Sequence, residues 1–268
     1  MPQPTSEQNP PGFFDEHPRF LETSTTAVGM RRLHLRHAAL IDANRDILQG
    51  ARVLDIASHD GRWMMAALKA GAAHVTGIEA RPELVENGEK TFAEYGAEAS
   101  SYRFITGDVY GVLAREPLQV DVIQCFGFLY HTLRFPELFS RLSALRPRHL
   151  VLDTRVYNQD GQLIKVLRNE ITKQAHAAAE EYAAGTKVLV GWPTPSALRM
   201  MLGIYGFTVE DEYDWNKAGN PEDDKLVSRY RSGGRVTWRC RWDADSVGAG
   251  RGSGDEAGAD DEDDSEAN

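Results

Sequence analysis

Three carboxylates, Asp55, Glu79 and Asp108, stand at the ends of three successive stretches whose apolar residues predict buried strands. Glu79 follows Asp55 by 24 positions. An acid about 20 residues after the first turn accepts the two ribose hydroxyls in dinucleotide-binding sheets. Strand ends meet the ligand in an open α/β sheet, so this spacing indicates chemistry on a nucleotide-like ligand.

The first of these acids lies in a strand, a tight turn and a helix that follow each other directly. Val53, Leu54 and Ile56 predict the strand, and small or polar residues at positions 57–61 predict the turn. The helix behind it is rich in Ala, Met and Leu and stops at Gly71. Such a turn leaves backbone N–H groups free, which predicts a cradle for the polar end of the ligand.

The turn has the pattern Asp55-x-Ala57-x-His59-x-Gly61 and lacks the G-x-G-x-x-G of phosphate binders. It resembles the D-x-G-x-G-x-G turn of class I S-adenosylmethionine (SAM)-dependent methyltransferases. In that family one acid opens the turn and two more end the second and third strands. The sequence departs from the family at Ala57 and His59, which replace glycines, so we expect the backbone approach there to be altered.

The resemblance implies a role for each acid in holding SAM. Glu79 would take the ribose hydroxyls and Asp108 the adenine amino group, while Asp55 and the backbone at Ala57 and Gly61 would hold the methionine moiety. Further cofactor contacts are expected from Val109, Phe126 and Arg36, the last as a candidate partner of the SAM carboxylate together with Arg31 and Arg32. His59 is interpreted as a turn residue.

The acceptor side is predicted from the segment after the fourth strand, where Leu129, Tyr130 and His131 follow Phe126. This segment resembles its counterpart in several small-molecule methyltransferases and in the tRNA wobble-uridine carboxymethyltransferases. A histidine near neutral pKa suits removal of a hydroxyl proton, so His131 is the candidate general base. The alternative is a histidine that hydrogen-bonds a loop carbonyl. Weaker catalytic candidates are Tyr130 and Asp153; aromatic residues that would stack on a ring are Tyr157, Trp192 and Tyr205.

The predicted fold is α/β: a seven-stranded, Rossmann-like methyltransferase sheet with helices on both faces. Residues 13–242 form the domain, with an N-terminal helical lid at 13–50 and a substrate-capping insertion at 155–192 after strand five. A long helical pattern at about 163–184 makes that insertion helical. The last two strands are predicted at 206–213 and 235–242. Residues 1–12 are expected to be loose and residues 243–268 to be a disordered acidic tail.

Charge and composition limit the partners. Ten acids and one arginine after residue 242 account for −9 of the formal −10, so the rest of the chain carries −1. A nearly neutral body makes nucleic acid an unlikely partner. No apolar run reaches the ~20 residues of a membrane span, and no signal peptide is visible, which predicts a cytoplasmic protein. No His/Cys/Asp cluster has the spacing of a zinc site. Cys125 and Cys240 are expected to be buried thiols. A homodimer is possible.

The sequence therefore predicts SAM-dependent methyl transfer to a hydroxyl of a small molecule, sugar or glycan. Arginine outnumbers lysine 23 to 7, a bias common in GC-rich bacteria, which favours a bacterial O-methyltransferase. Two alternatives stay open: an RNA-modifying SAM-dependent transferase, and a non-catalytic SAM-binding scaffold whose turn has changed at Ala57 and His59.

Overall fold

Strands form the centre of the protein in the computed structural model, which describes residues 12–22, 29–170 and 183–248. In chain order these strands are β1 (Arg52–Ile56), β2 (His74–Glu79), β3 (Tyr102–Thr106), β4 (Val122–Phe126), β5 (His149–Arg155), β6 (Ile164–Glu170), β7 (Lys187–Pro193), β8 (Tyr205–Glu212) and β9 (Arg235–Val247).

The α-helices of the described residues lie between and before these strands. They are α1 (Phe13–Glu16), α2 (Arg19–Glu22), α3 (Met30–Leu40), α4 (Arg45–Leu48), α5 (Arg62–Lys69), α6 (Pro82–Glu94), α7 (Val109–Arg115), α8 (Phe135–Ala144), α9 (Pro195–Ile204) and α10 (Asp224–Arg231). Single 3-10 turns occupy Asp42–Asn44, Ala99–Ser101, Leu129–His131 and Pro221–Asp223.

Seven strands build one sheet in the order β3-β2-β1-β4-β5-β9-β8. The pairs from β3 to β5 are parallel, while β9 is antiparallel to both β5 and β8. The central strand β4 is buried along its whole length, because helices cover both faces of the sheet. The predicted seven-stranded sheet and its antiparallel last pair are thus confirmed.

Each face of the sheet has its own apolar core. One core joins the sheet to α7, α8 and α9, and the other joins it to α5, α6 and the N-terminal helices. Phe14 and Phe20 are fully buried in the second core, where the Phe14 ring meets Trp63 edge-on at 5.6 Å between centroids. The N-terminal aromatic residues therefore fix α1 and α2 to the sheet's helical layer.

Two helix boundaries are set by residues that favour the ends of helices. The Thr194 hydroxyl accepts a hydrogen bond from the Ala197 N–H and caps α9, whose first residue is a proline. Gly71, just after α5, has φ of +104°, a backbone angle that residues with a Cβ rarely adopt. The helices α7 and α10 were not predicted from the sequence.

The insertion after β5 corrects a prediction. Ile164–Glu170 is a strand that pairs antiparallel with Lys187–Pro193, so the helix predicted over 163–184 is wrong for residues 164–170. β-Branched Ile164 and Val166 favour this extended form once a partner strand is present. Residues 171–182, the rest of that prediction, lie outside the described residues.

The C-terminal boundary is also corrected. β9 does not stop at Trp242 but continues to Val247, which pairs with Tyr205 at the start of β8. The prediction of a disordered tail is therefore wrong for residues 243–247. Residues 1–11 and 249–268, also predicted to be loose, lie outside the described residues.

Three properties of the described part of the chain concern its thiols, membrane spans and metal ligands. Cys125 and Cys240 are free and buried, as expected from their strand positions. Within residues 12–22, 29–170 and 183–248, no helix combines the length and apolar character needed to cross a membrane. The same residues contain no group of three or more His, Cys, Asp or Glu side chains that could hold a metal ion.

The extended β9 predicts two different outcomes for truncation. Ending the chain after Trp242 removes the Val247 pairing and the hydrogen bond from the Gly248 N–H to the Ile204 carbonyl. Losing a few such bonds should cost about 1–2 kcal/mol, a fall in melting temperature of roughly 2–8 °C. Ending it after Gly248 should leave the melting temperature unchanged. Thermal unfolding of both truncations is the measurement, and equal melting temperatures would contradict the role given to residues 243–248.

Candidate active site

The turn after β1 has left-handed backbone angles at three alternate residues. φ is +55° at Ala57, +57° at His59 and +80° at Gly61. Only glycine adopts such angles freely, and each residue with a Cβ costs about 1–2 kcal/mol there. Ala57 and His59 therefore have backbone angles that glycine would adopt without strain.

Hydrogen bonds from β2 hold this turn in place. The Ser58 N–H donates to the Ile78 carbonyl at 2.9 Å, and the His59 N–H donates to Glu79 Oε2 at 3.0 Å. Glu79 Oε1 accepts from the backbone N–H and the Nε of Arg81. A buried Glu79 thus links the turn after β1 to the start of α6.

Asp55 lies buried beside this turn in an acidic environment. Burial raises the pKa of Asp55 well above its usual value, and the negative charges of Glu79 and Asp60 raise it further, against the opposing charge of Arg62. Within the residues that the structure describes, Asp55 Oδ2 has no hydrogen-bond partner. A buried acceptor without a partner is costly, so a donor or cationic group of a ligand would stabilise it.

The next acid, Asp108, lies just beyond β3. Thr106 at the end of β3 is in register with Glu79, which puts Asp108 two residues past the level of Glu79 on the neighbouring strand. Its Oδ1 accepts from the Gly111 N–H at 3.0 Å and caps α7, whose first residue is the buried Val109. Asp108 itself is partly exposed, so its carboxylate has room for a further donor.

Trp63 of α5 contacts both Phe126 at the end of β4 and Arg36 of α3. The Phe126 ring meets Trp63 edge-on at 5.9 Å, and the Arg36 guanidinium carbon is 5.2 Å from the Trp63 ring centroid. Arg36 also donates from Nη2 to Asp153 Oδ1 at 3.0 Å. The predicted cofactor residues Phe126 and Arg36 are thus brought together through Trp63, a residue that the sequence analysis missed.

Asp153, a weaker catalytic candidate, is completely buried and serves as an acceptor for four side chains. Besides Arg36, it accepts from Arg235, from the Tyr230 hydroxyl at 2.9 Å and from the Thr237 hydroxyl at 2.8 Å. Burial would raise the pKa of Asp153, but the charges of Arg235 and Arg36 and these hydrogen bonds lower it to about 2. The structure therefore favours a structural role, since an ionised and fully bonded carboxylate is a poor base.

His131 ends the single 3-10 turn that follows β4, and it is 6% exposed. Its ring lies 4.3 Å from the ring of Tyr130, between centroids. The Gly191 N–H of β7 donates to the Thr132 carbonyl at 3.0 Å, which holds the β6–β7 hairpin against this turn. His131 thus lies in the turn that the β6–β7 hairpin contacts.

Two further arginines were missed by the sequence analysis. Arg155 ends β5 and Arg235 begins β9, and the two are direct partners in the antiparallel pair. No signal along the chain links them, since 80 residues separate them and the pairing of β5 with β9 is a property of the whole sheet. Arg31 and Arg32 were predicted, with Arg36, as partners of the cofactor carboxylate. The structure places Arg31 in an ion pair with Asp223.

The Asp153 network predicts a large stability effect. Asp153→Asn would leave Arg36 and Arg235 buried without a compensating charge, which should cost about 3–5 kcal/mol at pH 7. Because its pKa is lowered, the wild-type carboxylate stabilises the fold above pH ~4, and this contribution is lost as the pH falls towards 2.

Urea unfolding at pH 7 and at decreasing pH measures both parts of this prediction. Asp121→Asn is the matched control, because the Asp121–Arg52 pair is solvent-exposed and should contribute about 1 kcal/mol or less. Equal losses in the two variants would show that Asp153 is not the charge on which the arginines depend.

Comparison with known proteins agrees with this arrangement. Residues 53–147 match the family described as a methyltransferase domain, and no curated protein matches the sequence. The N-terminal domain of EvdMO1 with S-adenosylhomocysteine (SAH) bound is 18% identical, with a TM-score of 0.55 over 77% of this chain and 81% of that chain.

Two further solved structures have similar scores. A SAM-dependent methyltransferase from Mesorhizobium loti is 16% identical, with a TM-score of 0.53 over 77% of this chain and 99% of that one. The 1,6-didemethyltoxoflavin-N1-methyltransferase of Burkholderia thailandensis is 18% identical, with a TM-score of 0.51 over 77% and 76%. These likenesses establish the fold, and the domain match spans the strands that carry Asp55, Glu79 and Asp108. Residues 53–147 therefore match a methyltransferase domain, and the chain has the fold of SAM-dependent methyltransferases.

Proposed function

We propose that this protein transfers a methyl group from SAM to a hydroxyl of a small molecule or sugar, with His131 as the general base. The observation that carries the cofactor half is the turn at 57–61, held to Glu79 by the His59 N–H beside the unpartnered Asp55 Oδ2. The proposal also names a hydroxyl as the methyl acceptor and His131 as the base that removes its proton.

The residues at the strand ends fit SAM by charge and by donor chemistry. Glu79 would accept the ribose hydroxyls, Asp108 the adenine amino group, and Asp55 the ammonium of the methionine moiety. A cationic ammonium suits Asp55, whose neighbours Glu79 and Asp60 already make the site acidic. Val109 and Phe126 would supply the apolar walls, and Arg36 remains the candidate for the carboxylate, although Asp153 already binds it.

When bound, SAM supplies a methyl group made electrophilic by the sulfonium that carries it. The chain's own residues must then align the acceptor and remove its proton. His131 is 6% exposed and lies beside Tyr130, in the turn whose next residue, Thr132, is bonded to the β6–β7 hairpin. A neutral imidazole there would take the hydroxyl proton as the new bond to carbon forms.

The contact between the hairpin and the turn after β4 supports a substrate-capping role for the insertion. A Cβ at Gly191 would meet the Leu133 side chain at 2.6 Å and Phe135 at 3.0 Å, so only glycine allows this close approach. The hairpin therefore packs closely against the residues that follow His131. The RNA-modifying and scaffold alternatives gain no comparable support from a particular contact.

Glu79 provides the test of the cofactor half. Glu79→Ala should weaken SAM binding by about 1.5–3 kcal/mol, the range for hydrogen bonds to a charged group. Isothermal titration of SAM into the purified variant measures this. Glu83→Ala, which removes an exposed acid in the first turn of α6, should bind SAM as the wild type does. If both variants fold and bind SAM equally well, Glu79 is not a cofactor residue.

His131 provides the test of the acceptor half. General-base help is worth about 10²–10⁴-fold, so His131→Ala should reduce kcat by about that factor and leave SAM affinity nearly unchanged. The wild-type rate should fall on acidification, because a protonated imidazole cannot accept the hydroxyl proton.

The control is His74→Ala, at the opposite end of the parallel strands, where the imidazole bonds the Ser100 carbonyl. Because His131 is buried, SAM affinity doubles as the check that the variant is folded. A kcat within a few-fold of wild type would assign the proton to another group or to water, and lost SAM binding would make His131 a cofactor or structural residue.

A further inference from the structure

Arginine side chains gather around Tyr130, directly before the proposed base. The guanidinium carbons of Arg155 and Arg235 lie 5.1 and 5.3 Å from the Tyr130 ring centroid. Arg155 is also 5.4 Å from the ring centroid of Trp192, which belongs to β7 of the hairpin. Two guanidinium groups and two aromatic rings therefore meet where the ends of β4, β5 and β7 come together.

The positive charge of this cluster is not balanced by the contacts that the structure shows. Arg155 and Arg235 are direct cross-strand partners, an arrangement in which like charges destabilise the pair. Asp153 compensates Arg235 and Arg36. In the described part of the chain, Nε of Arg155 and Nε of Arg32 are buried and have no hydrogen-bond partner.

Electrostatics place Arg32 in the same cluster. Burial lowers the pKa of Arg155; the Tyr130 phenol raises it, and the charges of Arg229, Arg235 and Arg32 lower it further. Burial also lowers the pKa of Arg32, and the charges of Arg36 and Arg235 add to that effect, against the opposing influence of Tyr230 and Asp153. Buried donors with a mutual repulsion of this kind are satisfied best by an anion that accepts from several of them.

The β6–β7 hairpin contributes a lysine and an aromatic ring to the region of the arginine cluster. Lys165 of β6 has its Nζ 5.0 Å from the Tyr157 ring centroid and 6.0 Å from that of Trp192. The rings of Tyr130 and Trp192 are partly exposed, so each offers a surface on which a planar ligand can stack. Cations and aromatic surfaces thus face the same region from both the sheet and the insertion.

We propose that the methyl acceptor is a small molecule that carries a carboxylate or phosphate group, bound by Arg155 and Arg32 beside Tyr130 and Trp192. This inference rests on the proposed function, because it names the substrate class of the same site. Arg235 holds the position of the cluster through Asp153. The anionic group lies next to the acceptor hydroxyl, so the cluster selects the substrate and orients it towards His131.

Binding of matched aromatic probes tests this assignment without knowledge of the natural substrate. Benzoate, phenyl phosphate and neutral benzamide are titrated calorimetrically into the full-length protein saturated with SAH. Either anion should bind at least tenfold more tightly than benzamide, and the stronger of the two identifies a carboxylate or a phosphate as the preferred group. Binding of benzamide as tight as that of both anions would overturn the proposal.

Variants assign the binding to the arginine cluster. Arg155→Gln should weaken binding of the preferred anion by about tenfold or more, the effect of losing hydrogen bonds to a charged group. Arg155→Lys keeps the charge and should retain part of the preference. Arg241→Gln, at an exposed position in the middle of β9, is the control and should bind like the wild type. An anion preference that survives Arg155→Gln would overturn the proposal.

A separate titration of SAH alone distinguishes failure of this inference from failure of the proposed function. Wild type and Arg155→Gln should bind SAH equally, which also shows that the variant is folded. If Arg155→Gln weakens SAH binding as much as anion binding, the cluster holds the cofactor carboxylate and the acceptor assignment is wrong. If wild type does not bind SAH, the proposed function fails, whereas titration of the probes without SAH still tests the anion site.

Discussion

The candidate site depends on one buried charge, the carboxylate of Asp153. It lies near the end of β5 and binds Arg36 of α3, Arg235 of β9 and Tyr230 of α10, so it joins parts of the chain that are far apart in sequence. A buried carboxylate without such partners would be strongly destabilising, and so would the two arginines without it. Helix α3 and strand β9 are therefore positioned by the same network.

Charge is divided across the ends of the strands. The β1–β2 side is acidic, because Asp55, Glu79 and Asp60 lie together and Arg62 opposes them. The β5–β9 side is basic, because more arginines meet there than Asp153 can compensate. An electron-poor sulfonium with its ammonium fits the first side, and an electron-rich, anionic acceptor fits the second. Opposite charges on the two substrates would help each bind at its own end and suppress binding in the wrong orientation.

Elements that depend on patterns within a short stretch of sequence were predicted correctly. Features that depend on pairing between distant strands were missed. The strands β1 to β5, the acids at their ends and the proline-started helix α9 all follow from patterns within short windows. The apolar residues from Leu163 onward also fit a helical period, and only pairing with β7, about 20 residues later, makes residues 164–170 a strand. Arg155 and Arg235 were missed for the same reason, since the strand order of the sheet brings them together. The effect of Ala57 and His59 on the turn stays a prediction: both residues have left-handed backbone angles, and the His59 N–H is bonded to Glu79.

The cofactor half and the proposed acceptor half of the site are built from different parts of the fold, so they can change independently. The cofactor half is built from adjacent parallel strands and a short turn, so most substitutions in it disturb the sheet itself. The acceptor half receives Trp192 and Lys165 from a hairpin that meets the turn after β4 through the Gly191–Thr132 hydrogen bond. Substitutions in the hairpin can therefore alter the ring and the charge presented to the acceptor while the Asp153 network and the turn after β1 stay intact. Under the proposed function, substrate choice would reside in the β6–β7 hairpin, whose strands are not part of the seven-stranded sheet.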